Sequence, residues 1–291
     1  MGEHKIFLDG RFLDVQEAKI SVFDHGLLYG DGVFEGIRSY NRRIFRLNEH
    51  LERMYVGADM IRLAIPYSKS EMQNYIVATL KLNDLSNAYI RVVVTRGVGD
   101  LGLDPRKCKK ATVFIITDKI ALYPEEFYEK GLPIIIAKTE RVSPGAIYPG
   151  IKSLNYLNSI LGKIEAIDAG TNEALMLTKD GDVAECTGDN IFIVKKGVLM
   201  TPPHELGTLN GITQKAVMDL AQKRNIKPIL KIMKPKEVFA ADECFLTGTA
   251  AEIIPVTKID DKVIGDGKPG AVTRLLAADF HELVKVDGIA Y

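Results

Sequence analysis

The apolar period changes repeatedly along this chain, and that alternation limits the fold more than any single motif does. HKIFLDG and GVFEGIRSY-NRR-IFRL read as strands, the latter a hairpin closed by a polar turn. A helix is predicted from about Asn48, with Leu47, Leu51, Met54, Ala58 and Ile61 spaced as one apolar stripe. Pro66 interrupts the pattern, and Ser68 with Glu71 forms a capping box for a second helix, EMQNYIVATLKL. Tyr89 to Thr95 and Ala111 to Thr117 return to β-branched strand composition. Strands and helices thus mix without βαβ regularity, which predicts a mixed α/β (α+β) fold.

From Asp118 to Gly131 the pattern lapses, with Pro124 as punctuation. At 291 residues two cores are expected. The predicted division is a smaller domain over 1–118, a linker over 119–130 and a larger domain over 131–291. The second part opens with the strand PIIIAKT and the turn-rich SPGAIYPG. A helix is predicted from about Asn155 to Ala169, with Leu157, Ile160, Leu161, Ile164 and Ile167 facing inward and Gly170 as C-cap. EALMLT, DVAEC, NIFIV and VLMT then form a meander, and helices start near Ile212 and Gly270.

Thirty-eight basic and 38 acidic residues cancel, giving a net charge of +0, which argues against nucleic-acid or membrane-surface binding. Cys108, Cys186 and Cys244 are odd in number and scattered, so neither a disulfide framework nor a CxxC knuckle is indicated. His4, His25, His50, His204 and His281 lack metal-ligand spacing, so no metal is expected. MGEHKIFLDGRFLD lacks the cationic start and apolar run of a leader, and no long apolar stretch occurs, so a reduced, cytoplasmic protein is expected. Gly97-Val-Gly99-Asp-Leu-Gly102 fits GxGxxG, but Asp104-Pro105 follows where a nucleotide site needs a helix. It reads as a connection between antiparallel strands.

The chemistry-bearing feature is Lys152 in YPGIKSLNYLNS. Ile151 beside it and the positive end of a following helix both favour a neutral amine. Tyr156, four residues on, is expected on the same side. Glu185 ends a later strand before small residues that let a flat ring approach. An amine that forms an imine with an aldehyde and a carboxylate that holds a pyridine nitrogen suit pyridoxal phosphate chemistry. Gly211-Ile212-Thr213 opens a helix whose first amides can bind an anion, Thr249-Ala250 forms a tight turn, and Arg53 can reach a phosphate.

Together HGLLYGDGVFEGIR, HLERM, YIR, GIKSLNYLNS, AECTGDNIF, LNGIT and TGTAAEIIPV resemble the class IV (fold type IV) pyridoxal-phosphate aminotransferases, and most of all the branched-chain amino acid branch. The resemblance spans nearly the whole chain in order. It implies two domains with the active site between them and pyridoxal 5'-phosphate as cofactor. Lys152 would carry the cofactor, Glu185 would contact the ring nitrogen, and Tyr156 the phenolic oxygen. Arg53, Ile212, Thr213 and Thr249 would hold the phosphate.

The same resemblance places Phe34, Tyr29, Tyr123 and Leu103 around the substrate side chain, with Tyr29 and Leu103 lent by a neighbouring subunit of a homodimer or higher oligomer. Tyr89 and Thr249-Ala250 would bind the α-carboxylate, and Arg91, then Arg38, the distal carboxylate of glutamate. The implied reaction is transamination of leucine, isoleucine and valine with 2-oxoglutarate. Gln214 departs from the family pattern, which has a basic residue there. Competing expectations are a D-amino acid or (R)-amine transaminase and an aminodeoxychorismate-type lyase. Against them stand Gly99-Asp100-Leu101-Gly102-Leu103, where the D-amino acid group has Arg-x-His, and the intact TGTAAEI turn.

Overall fold

The computed structural model describes residues 4–120 and 122–291. Contacts divide the chain into two units. The first comprises Met1–Ile120, Gly150–Asn155 and Val284–Tyr291, and the second Ala121–Pro149 and Tyr156–Leu283.

In the first unit the chain runs β1 (Lys5–Leu8), β2 (Arg11–Asp14), α1 (His25–Tyr29), β3 (Gly32–Tyr40), β4 (Arg43–Ile44), α2 (Leu47–Met60), α3 (Lys69–Leu82), β5 (Ala88–Thr95) and β6 (Thr112–Asp118). With the short strand Ile289–Ala290 added, the described strands form a seven-stranded sheet ordered Ile289–Ala290, β4, β3, β5, β6, β1, β2. Strand alternation turns Val33, Ile37, Ile90, Val92 and Val94 toward the helices. Leu47, Leu51, Met54 and Ala58 of α2 and Met72, Ile76 and Leu80 of α3 fill the other side of that core. Each of the larger side chains contributes about 1.5–3 kcal/mol on burial, Ala58 less. The Ser68–Glu71 capping box forms as expected.

The second unit contains α4 (Glu125–Lys130), β7 (Leu132–Ile136), α5 (Leu157–Asp168), β8 (Ala174–Leu177), β9 (Val183–Cys186), β10 (Asn190–Lys195), β11 (Val198–Thr201), α6 (Ile212–Lys223), β12 (Pro228–Leu230), α7 (Pro235–Phe239), β13 (Glu243–Gly248), β14 (Glu252–Ile259) and β15 (Lys262–Val263), and most of α8 (Ala271–Val286). Its sheet is ordered β12, β11, β10, β13, β14, β7, β8, β9, with β15 paired on β14. Leu132, Ile134, Ile191, Ile193, Leu246 and Ile254 lie in its core.

Three local expectations are corrected. Residues 125–130 of the expected linker form α4, a helix too short to show a stripe, with Phe127 and Tyr128 packed on the second core. The helix expected from Asn155 begins at Leu157, and its apolar stripe faces outward: Leu157, Ile160, Leu161, Ile164 and Ile167 are all exposed. α5 instead buries Ser159, Gly162 and Ala166, because it lies so close to the sheet that a Cβ on Gly162 would sit 3.2 Å from Thr187 Cγ2. Lys152, expected in the C-terminal domain at a helix start, belongs to the first unit. Its segment runs extended along the edge of β3, where Phe34 N–H donates to Lys152 O at 3.0 Å, Leu154 N–H to Gly32 O at 3.0 Å, and Val33 pairs with Ser153.

Among the described residues, no helix is long and apolar enough to cross a membrane, and no group of three His, Cys, Asp or Glu side chains is arranged to hold a metal ion.

Candidate active site

In the first unit, β3 and β5 present one face built from both strands. Their register sets Phe34 opposite Val93, Gly36 opposite Arg91 and Arg38 opposite Tyr89, so these side chains share the face turned away from α2 and α3. Arg91 lies with its guanidinium carbon 4.5 Å from the Phe34 ring centroid and 5.3 Å from that of Tyr89. Its Nη2 donates to the Tyr89 hydroxyl at 2.8 Å. Lys152 brings its amine to 4.5 Å from the same Phe34 ring. The edge pairing of residues 152–154 with β3 is what places it there. Gly36 is required beneath this group, since a Cβ on it would fall 2.2 Å from the Tyr89 hydroxyl. Arg38 stacks on Tyr40 at 5.1 Å and lines a cleft of about 470 Å³ with Tyr40, Ser86, Asn87 and Lys119.

Tyr29 and Leu103 lie close together. The Tyr29 hydroxyl accepts from Gly102 N–H at 2.9 Å, and the adjacent Leu103 is 80% exposed.

Arg53 stands on the core face of the sheet, where Glu35 of β3 takes two of its N–H groups at 2.7 and 2.8 Å. His50 Nδ1–H donates to the same carboxylate at 2.7 Å. Burial alone would raise the Glu35 carboxyl, but the charges of Arg53 and His50 and their hydrogen bonds overcome it and hold it at about 2. Burial pushes the His50 imidazole below its ordinary value despite Glu35, so at neutral pH the uncharged ring donates from Nδ1 and its charge assists Glu35 only at acid pH. Glu35 therefore adds stability that is complete above the ordinary carboxyl value of 4.5 and disappears as pH falls toward 2. That contribution is about 3 kcal/mol. Urea midpoints are expected to drop across this acid range, and Glu35→Gln to be less stable at neutral pH and to lose this part of the acid dependence.

In the second unit, Glu185 is buried at the end of β9. Arg141 Nη2 donates to its Oε1 at 2.6 Å, while Asn190 Nδ2 and Leu209 N–H donate to Oε2 at 3.0 Å each. Gly211 caps α6, leaving Ile212 and Thr213 in a first turn whose amides have no partner within the helix. A Cβ on Gly211 would lie 2.0 Å from Asn190 Oδ1, so the start of α6 rests directly on Asn190. Opposite Asn190 in the sheet stands Thr247, whose buried hydroxyl finds no hydrogen-bond partner among the described residues. Gln214, where a basic residue was expected, is buried and neutral; its side chain donates to Thr201 Oγ1 at 3.0 Å and accepts from Gly211 N–H at 3.4 Å. Thr249 and Ala250 form the turn between β13 and β14.

Two expected placements change. Tyr156 is the N-cap residue of α5, so no helical turn relates it to Lys152 and the same-side argument does not hold. Tyr123, expected to wall a substrate pocket, is buried in the second core, its hydroxyl 3.3 Å from both Glu173 and Asp189. Burial, and then the two carboxylates, raise that phenol well above its ordinary value, so it stays a neutral donor to them.

Sequence reasoning missed Glu35, His50, Arg141 and Asn190. Glu35 carried a signal, being a charge at the core-facing parity of Val33 and Ile37. Arg141 lies in a turn-rich stretch with no periodic cue, 44 residues from the carboxylate it holds.

Comparison with known proteins covers both units. Residues 32–259 match the family described as amino-transferase class IV. A putative branched-chain-amino-acid aminotransferase from Methanocaldococcus jannaschii is 49% identical over 279 residues, covering 96% of each chain. The crystal structure of the Escherichia coli branched-chain amino acid aminotransferase is similar with a TM-score of 0.95 at 33% identity, covering 97% of this chain and 95% of that one. A T.th. branched-chain amino acid aminotransferase complexed with N-(5'-phosphopyridoxyl)-L-glutamate gives a TM-score of 0.92 at 35% identity, covering 98% and 95%. With a lysine amine set against an aromatic wall and a carboxylate clamped by three donors, this chain belongs to the class IV aminotransferases.

Proposed function

We propose that the enzyme transfers the amino group of leucine, isoleucine and valine to 2-oxoglutarate, giving branched 2-oxo acids and L-glutamate. As a class IV aminotransferase it works with pyridoxal 5'-phosphate, which supplies an aldehyde for the amine and a conjugated ring that accepts electrons. The residues present fit such a group: a phosphate suits the first-turn amides of α6 and the Thr247 hydroxyl, which has no partner among the described residues, and a ring nitrogen suits Glu185.

The observation that carries the substrate reading is Arg91 lying over Phe34. One site must take an apolar side chain and, in the return half-reaction, a carboxylate. A cation resting on an apolar wall serves both. In this reading Lys152 carries the cofactor and moves the proton with its Nζ. Arg53, Ile212, Thr213 and Thr249 hold the phosphate, Glu185 the ring nitrogen and Tyr156 the phenolic oxygen. Phe34, with Tyr29 and Leu103, walls the substrate side chain. Tyr89 and Thr249-Ala250 take the α-carboxylate, and Arg91 or Arg38 the distal one.

The exposure of Leu103 beside Tyr29 supports lending of both to a second copy, hence a homodimer or larger homo-oligomer. We place the enzyme in the cytoplasm and retain 1–118 and 131–291 as its two domains, with the Lys152 segment returned to the first. Incubating the loaded enzyme separately with L-leucine, D-alanine and (R)-phenylethylamine tests the reading. Bleaching of the cofactor's visible band by L-leucine alone is expected, and bleaching only by either of the others overturns it.

A further inference from the structure

We infer that Arg141 is a positioning residue that keeps Glu185 an anion aimed at the cofactor's ring nitrogen. The inference rests on the assignment of Glu185 to that nitrogen.

Glu185 has little contact with water, and a carboxylate in such a place persists as an anion only where donors surround it. Asn190 Nδ2 and Leu209 N–H supply dipoles on Oε2. Arg141 supplies a full charge on Oε1, at 2.6 Å. The guanidinium is itself pinned. Its Nε donates to Gly207 O at 3.2 Å and its Nη1 to Ser159 Oγ at 3.0 Å, so all three nitrogens are engaged by three separate segments. The loop that carries it is tied to α5 as well: Val142 N–H donates to Asn158 Oδ1 at 3.0 Å, and Asn158 Nδ2 to Glu140 O at 2.8 Å.

The chemical consequence concerns where one proton sits. With the guanidinium present, Glu185 is a poor resting place for a proton, which stays on the ring nitrogen and maintains the ring's capacity to accept electrons. With a neutral side chain in its place, the buried carboxyl takes the proton and the nitrogen is left with only a hydrogen bond from a neutral acid.

The test is the ring-nitrogen signal of enzyme loaded with 15N-labelled pyridoxal phosphate, read by NMR at neutral pH in wild type, Arg141→Gln, Arg141→Lys and Glu185→Gln. A protonated-nitrogen signal is expected in wild type and Arg141→Lys, and a neutral-pyridine signal in Arg141→Gln. In that variant kcat is expected to fall roughly a hundredfold with cofactor affinity little changed. If Glu185→Gln moves the signal and Arg141→Gln does not, Arg141 is only a scaffold and the inference is overturned. If Glu185→Gln leaves the signal in place, the assignment of Glu185 fails and the inference falls with it. Should Arg141→Gln not fold, Arg141→Lys decides: a protonated nitrogen sustains the inference, and a neutral one in a folded lysine variant overturns it.

Discussion

Lys152→Ala is expected to lose transamination by several orders of magnitude while remaining folded, because in the proposed roles nucleophile and proton carrier disappear together. The fold should tolerate the change for a specific reason. What the 152–154 segment contributes to the sheet is backbone: the Lys152 carbonyl accepts from Phe34 N–H, and Leu154 N–H donates to Gly32 O. Alanine keeps both. The amine's contact with the Phe34 ring, at 4.5 Å, is among the side-chain interactions removed. Circular dichroism and the urea midpoint should match wild type within about 1 kcal/mol, and cofactor should still be retained through its phosphate. Near-wild-type turnover would remove Lys152 from the centre of the site.

Arg91→Ala is expected to separate the two half-reactions. The guanidinium is fixed by the Tyr89 hydroxyl at 2.8 Å and stacked on Phe34, so in the proposed role it would meet an acidic substrate without first being ordered. Its loss leaves the distal carboxylate of 2-oxoglutarate without a partner at an apolar wall, which costs on the order of 2–3 kcal/mol, roughly a hundredfold. Leucine, which presents methyl groups there, should lose far less. Single-turnover spectra with each substrate measure the two rates separately. Equal losses would mean that Arg91 supports Tyr89 and the shared α-carboxylate, and the distal role would pass to Arg38, which faces Tyr89 across the β3–β5 pair.

In the first unit β3, β5, β6, α2 and α3 are legible because each repeats a period long enough to detect, whereas α1, at five residues, shows none and is not anticipated. α2 shows four buried apolar positions at helical spacing, and α3 announces itself with its cap. What is not legible depends on contacts far apart in sequence. The outward stripe of α5 has the spacing of a core face, but periodicity says only that residues share a side, not what covers that side. The small residues Ser159, Gly162 and Ala166 are the true packing signal, readable only once Thr187 is known to lie 3.2 Å from a Cβ on Gly162. The spacing argument for Tyr156 fails for a related reason: the four-residue rule applies inside a helix, and the helix starts after it. Motif order directs attention to Lys152 and Glu185, but not to Arg141 or to the Glu35–His50–Arg53 triad, whose bonds cross long stretches of sequence or join a strand to a helix.

The first unit is not one stretch of chain. Its sheet borrows residues 150–155 along the edge of β3 and Ile289–Ala290 along β4. Residues 1–120 emerging alone from a ribosome would therefore carry two open strand edges, surfaces that invite pairing with other chains. Closure of the β4 edge waits for a partner more than two hundred residues downstream, a long-range step of the kind that slows folding. In the proposed reading the reactive lysine is thus delivered by an act of assembly, and the β3 strand meets it only once the chain has been made past residue 154.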